Sequence, residues 1–194
     1  MFVDSHAHID GEEFDADRDE VVARAREAGV RAILNVGTGD PHAGNFERAV
    51  AAAEKYEGVH AAVGVHPHDA KLYDGAAERL LLEFVGSRRV VALGEIGLDY
   101  HYDHSPREAQ REVFARQLRL ARQRGLPVII HSRDADDDTL EILRAEYEGA
   151  GRGGRDALLR RRPRAGRNGS RAGLPHLVRG QRHLQEGRRA ARGR

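Results

Sequence analysis

The chain has 194 residues with no Cys, no Trp and a single Met, which leaves room for one domain of ordinary size and excludes a disulfide framework, a thiolate nucleophile and a Cys-ligated zinc site. Its N-terminus has no basic region followed by an apolar run, and no stretch of about 18 apolar residues occurs, so a cytoplasmic protein without a secretory signal or membrane span is expected. The net charge of +1 conceals a seam: residues 1–150 hold 18 Lys and Arg against 29 Asp and Glu, whereas residues 151–194 hold 14 Arg against two acids.

In the first 150 residues, short apolar runs alternate with amphipathic stretches. Phe2-Val3 leads into Asp4, Ala32 to Val36 ends in Gly37-Thr38-Gly39, and Val59 to Val65 ends in His66-Pro67-His68. Val90 to Leu93 runs into Gly94-Glu95, and Pro127 to Ile130 ends in His131-Ser132. Runs this short and this apolar predict parallel strands buried on both faces. Between them, Phe14, Val21, Val22 and Ala25 precede a helix-ending Gly29, and Phe46, Val50 and Ala53 follow a start at Pro41. Leu80, Leu81, Phe84 and Val85 stop at Gly86, and Pro106 opens a long helix with Val113, Phe114, Leu118 and Ala121, closed at Gly125. Thr139 to Glu148 is a fifth helix candidate. Pro at the start and Gly at the end are the expected helix punctuation.

Strand–helix alternation with short links predicts an α/β fold with a parallel sheet. Asp4, His6, His8, His66, His68, Glu95, Asp99 and His131 all fall at or just past the C-terminal end of a predicted strand. In a TIM-like (β/α)8 barrel these ends form one rim, where residues distant in sequence converge. Such a barrel needs eight units; five are legible here, so the fold class is an incomplete barrel followed by an irregular tail.

The rim residues suggest metal chemistry. His6-Ala7-His8 puts two imidazoles on one side of an extended segment, a workable chelating pair. Glu95, flanked by Gly94 and Gly97 after an apolar run, must be paired, solvated or metal-bound if ionised; a salt bridge to Arg88 or Arg89 would also satisfy it. His131 reads equally as a hydrogen-bonded rim histidine. Histidine with carboxylate and no thiolate suits Zn²⁺, Mn²⁺ or a similar divalent ion. Such ions lower the pKa of bound water and polarise phosphoryl or carbonyl oxygens.

Phe2-Val3-Asp4-Ser5-His6-Ala7-His8 resembles the opening of the TatD family of metal-dependent deoxyribonucleases, within the amidohydrolase-like barrels. Gly64-Val65-His66-Pro67-His68, Gly94-Glu95-Ile96-Gly97-Leu98-Asp99-Tyr100 and Ile130-His131-Ser132-Arg133-Asp134-Ala135 resemble its next three blocks, in order and with matching spacing. The resemblance covers residues 1–150. It implies a hydrolase that cleaves DNA phosphodiester bonds with metal-activated water. His6 and His8 would bind one ion, Glu95 would bridge two, His131 would bind the second, and His66 and Arg133 would contact a substrate phosphate. Arg133 could equally pair with the acids between Asp134 and Asp138. The ions would be Zn, Mn or Mg. DNA is the expected partner, with no membrane and no obligate protein partner. The family also uses a His in a His-Cys-Phe block and an Asp before Ser-Pro; neither occurs in this chain, so its catalytic base is unassigned and impaired activity is expected. Two alternatives stand beside this reading: an amidohydrolase-type enzyme acting on an amide, lactone or phosphotriester, and a nucleic-acid-binding protein working through a basic tail.

The last 44 residues carry 14 Arg and nine Gly without apolar periodicity. They read as a disordered basic extension, as an arm for nucleic-acid phosphates, or as out-of-frame translation. Permitted codons for Arg155 to Pro163, read one nucleotide later, spell V-M-H-C-F-A-G-D, the absent His-Cys-Phe block. Gly173 to Gly187 in the same shifted frame permits G-F-H-I-S-F-A-G-N-V-T-F-K-K-A, which resembles the family's seventh block. A one-nucleotide shift between Glu148 and Arg155 is therefore expected, with a truncated barrel before it.

Overall fold

The computed structural model describes residues 1–148. Segment 151–194, and with it every reading of the tail, lies outside the described residues. The elements alternate strictly: β1 (Phe2–Ala7), α1 (Arg18–Glu27), β2 (Val30–Gly37), α2 (Asn45–Lys55), β3 (Val59–Val63), α3 (Gly75–Phe84), β4 (Val90–Asp99), α4 (Arg107–Arg124), β5 (Val128–Arg133) and α5 (Asp136–Leu143). The five strands form one parallel sheet in the order β1-β2-β3-β4-β5. This is an incomplete (β/α) arrangement consistent with part of a TIM-like barrel of the amidohydrolase type.

Side-chain alternation divides the core in two. On one face Ile33, Val63, Leu93, Ile96 and Ile130 pack against Phe46 of α2, Leu81 of α3 and Phe114 and Leu118 of α4. On the other face Val36, Ala62, Ala92 and Ile129 form a small strand-only cluster with Leu34. Double-sided burial therefore holds for β2 to β5. It fails for β1, where Phe2 and Val3 are each 65% exposed, because β1 pairs only with β2 among the described residues.

Several boundaries move for local reasons. Phe14 lies in a separate 3-10 turn, Glu12–Phe14, because Arg18 donates from its guanidinium to the Ile9 and Gly11 carbonyls and α1 starts only there. Helix α2 begins at Asn45 rather than at Pro41: Gly44 adopts φ +76 at its N-cap, and Pro41 belongs to the turn before it. Helix α5 starts at Asp136, with three acids in the first turn, where they complement the helix dipole. A π-helical turn, Arg144–Glu148, follows it.

Strand β4 runs past Leu93 to Asp99, so that one strand delivers both Glu95 and Asp99 to the rim. Glycine makes this possible. Gly94 (φ +156) lies against the Ile129 backbone and Gly97 (φ +146) against the His131 carbonyl, and a Cβ at either position would overlap β5. Helix α4 then fastens the ends of two strands through a pair of buried glutamines. Gln117 accepts the Val65 N–H at 2.8 Å and donates to the Val65 carbonyl at 3.0 Å. Gln110 does the same for Asp99, at 2.8 and 3.1 Å.

Candidate metal centre

The site is assembled from the ends of four strands. His6, in β1, and His8, just beyond it, bring their Nε2 atoms to 3.2 Å. The Nδ1 of His8 donates to the Val36 carbonyl at 2.8 Å, which leaves its Nε2 lone pair aimed inward. The loop after it is held by the Asn35 side chain of β2, which accepts the Ile9 N–H.

Glu95, 7% exposed, faces a different histidine with each oxygen. Its Oε2 lies 3.5 Å from His6 Nε2 and its Oε1 3.2 Å from His131 Nδ1. Burial alone would raise its pKa; the His131 hydrogen bond and the charges of His131, His66 and His6 outweigh burial and hold it at about 2. The alternative partners Arg88 and Arg89 precede β4, at its opposite end.

His66 follows β3 and reaches the same point, with Nε2 3.1 Å from His131 Nδ1. Its Nδ1 accepts the His68 N–H at 3.2 Å, so in the neutral ring the proton sits on Nε2. Burial, reinforced by the charge of His131, lowers its pKa to about 3, and the ring is neutral at pH 7. Burial works against a charged His131, but the hydrogen bonds and charges of Glu95 and Asp99 raise its pKa above the ordinary value.

Asp99 is fully buried. Its Oδ2 lies 2.9 Å from the Nε2 of His68 and 2.9 Å from the Nε2 of His131, and its Oδ1 accepts the N–H groups of His101 and Tyr102. Burial would raise its pKa, but these donors hold the carboxyl well below the usual range. The Arg133 guanidinium lies over the Tyr102 ring, 4.4 Å from its centroid. The nearby acids take other partners: Asp134 pairs with His101, Asp136 with Ser132, and Asp138 with Tyr100 and Arg111.

The expected residues His6, His8, Glu95 and His131 thus come together, His66 joins them, and Arg133 stands to one side against Tyr102. Three groups have ligand atoms within 4.8 Å of one another: His6, His8 and Glu95; His66, Glu95 and His131; and His68, Asp99 and His131. Imidazole and carboxylate donors converging at a half-buried rim, with the His8 lone pair fixed inward, fit a divalent ion. The roles of Asp99, His68 and the buried glutamines were not legible beforehand. The only signal was the rim position of His68 and Asp99.

No helix of the described residues is long and apolar enough to cross a membrane. Residues 3–154 match the family model described as TatD related DNase. The chain is 43% identical over 148 residues to the metal-dependent hydrolase YabD of Bacillus subtilis, covering 75% of this chain and 56% of that protein. It is 43% identical over 136 residues to the 3'-5' ssDNA/RNA exonuclease TatD of Cronobacter sakazakii, covering 70% and 51%. Among solved structures it resembles the TatD homologue YJJV of Escherichia coli K12, at a TM-score of 0.68 and 36% identity over 75% of this chain and 56% of the other. The chain spans about half the length of the curated relatives it matches. The family model spans the strands that carry the rim histidines and Glu95, and the chain belongs to the TatD family of metal-dependent hydrolases.

Proposed function

We propose that residues 1–150 carry the metal-binding part of a hydrolase centre directed at DNA phosphodiester bonds. The observation that carries this reading is the two-sided carboxylate of Glu95, with His6 and His8 beyond one oxygen and His131 beyond the other. His6, His8 and Glu95 would hold one divalent ion, and Glu95 and His131 a second. When bound, such ions lower the pKa of water and offset charge on phosphoryl oxygens.

The remaining steps belong to the protein. His66, neutral and protonated on Nε2, donates a hydrogen bond to a substrate phosphate at the mouth of the second group. Arg133, oriented by the Tyr102 ring, supplies a positive charge for the same phosphate or its neighbour. Val36, Ala62, Ala92 and Ile129, from the strands β2 to β5, form a buried apolar cluster of their own. The relatives named as 3'-5' ssDNA/RNA exonucleases support a nucleic-acid substrate.

The test has two parts. Isothermal titration of the full chain with Mn²⁺ or Zn²⁺ is expected to show binding that Glu95→Ala abolishes and that His6→Ala together with His8→Ala weakens. A panel of single-stranded DNA, bis(p-nitrophenyl) phosphate, a lactone, an amide and a phosphotriester is expected to yield product only from the phosphodiesters, and EDTA should stop the reaction. Binding unchanged in Glu95→Ala, or faster turnover of the lactone or amide, overturns the proposal.

A further inference from the structure

We infer that Asp99 is a positioning residue that sets which nitrogen of His131 is offered to the metal centre. The inference rests on the reading of His131 as a metal ligand. His131 has one nitrogen on each side of a divide: Nδ1 faces Glu95 Oε1 at 3.2 Å, while Nε2 faces Asp99 Oδ2 at 2.9 Å. Both carboxylates can only accept, so each nitrogen donates in the charged ring. In the neutral ring Nε2 keeps the proton for Asp99, because the Nε2–H of His66, whose Nδ1 accepts the His68 N–H, faces His131 Nδ1 at 3.1 Å and needs a lone pair there.

The carboxylate cannot swing away. Its Oδ1 is committed to the backbone N–H groups of His101 at 3.0 Å and Tyr102 at 2.9 Å, and its own N–H and carbonyl are both held by Gln110. Its Oδ2 is shared with His68 Nε2 at 2.9 Å. Every lone-pair direction of the buried group thus has a donor. This is the arrangement by which an outer carboxylate orients a ligating imidazole and raises its basicity.

Asp99→Asn tests the inference with no change in shape. The amide oxygen is expected on the side of the two backbone N–H groups, which turns the NH2 toward the imidazoles. Nε2 of His131 must then accept and Nδ1 takes the proton, which blocks ligation. In the full chain with ¹⁵N-labelled histidine, metal-free and at alkaline pH, the wild type is expected to show His131 protonated on Nε2, and Asp99→Asn on Nδ1. Calorimetry with Zn²⁺ should show affinity reduced 10- to 100-fold in the variant. His68→Gln, which leaves the Asp99–His131 bond in place, should keep the Nε2 proton and an affinity within threefold of wild type.

A wild-type His131 protonated on Nδ1 overturns the inference without recourse to any variant, as does Asp99→Asn with an unmoved proton and Zn²⁺ affinity within threefold. A wild type that takes up no Zn²⁺, yet shows the proton moving in Asp99→Asn, overturns the metal reading and supports the positioning role.

Discussion

Three neighbouring side chains pull the stability of the metal-free chain in opposite directions with pH. Glu95 drops from 4.5 to about 2 on folding, so its contribution is complete above about pH 4.5 and is lost as pH falls toward 2. His66 drops from 6.5 to about 3; the unfolded chain binds the extra proton, and stability is lost as pH falls below 6.5. His131 is raised above 6.5, so its contribution is present below that value and lost as pH rises through the folded pKa. Urea midpoints of the EDTA-treated chain should therefore peak near pH 6.5. Each proton difference gives a slope of about 1.4 kcal/mol per pH unit. His66→Gln should flatten the limb between pH 6.5 and 3. Glu95→Gln should remove the loss below pH 4.5 and weaken the alkaline limb, because Glu95 is a principal cause of the His131 shift. An unchanged profile in both variants would contradict the network. Of these groups, Glu95, His66 and His131 stand out in the sequence by residue type and rim position. The Asp99 contacts do not, because a carboxylate between Leu98 and Tyr100 carries no mark of which imidazoles it meets across β5 and the turn after β3.

At the level of elements, α4 does more than cover the sheet. Its buried face is Gln110, Val113, Phe114, Gln117, Leu118, Leu120 and Ala121. The apolar members of this stripe were legible from helical spacing. The two glutamines carry no such mark, because sequence does not show that the carbonyls and N–H groups of Val65 and Asp99 lie opposite them. Leucine at either position would keep the volume and leave a buried backbone pair unsatisfied, at a cost of about 1–3 kcal/mol. Phe114→Ala, by contrast, should cost about 3–5 kcal/mol through lost packing. The discriminating readout is function. Gln117→Leu loosens the segment that carries His66, and Gln110→Leu loosens Asp99. Both should lower Zn²⁺ affinity or phosphate contact out of proportion to their effect on urea midpoints, whereas Phe114→Ala should affect stability alone. If all three variants lose affinity only as they lose stability, the glutamines merely fill space. The shift of α2 from Pro41 to Asn45 has a local origin. Gly44 ends the preceding turn through a left-handed conformation with open space around it, so the backbone geometry at Gly44, rather than Pro41, sets where the helix begins.

At the level of the whole molecule, a five-stranded sheet must manage two edges. Among the described residues β1 pairs only with β2, and β5 only with β4. The β1 edge displays Phe2 and Val3, each 65% exposed, beside Met1 at 95%. A parallel strand with open N–H and carbonyl groups and apolar side chains is a template for a second copy. Light scattering of the full 194-residue chain should show self-association that grows with concentration. Val3→Lys should suppress it with less than about 0.5 kcal/mol change in stability, since it alters an exposed position. A chain that stays monomeric at high concentration would contradict this reading of the β1 edge. The same openness bears on catalysis. The resemblance implies two further ligands, a His in a His-Cys-Phe block and an Asp before Ser-Pro, beyond the proposed ligands His6, His8, Glu95 and His131 on the described rim. A centre with fewer ligands binds its ions more weakly and holds a phosphate less firmly against them. Mn²⁺-dependent cleavage of single-stranded DNA by this chain is therefore expected to be slow and to require high metal concentration. Turnover that saturates at low metal concentration would show that four ligands on half a barrel are enough.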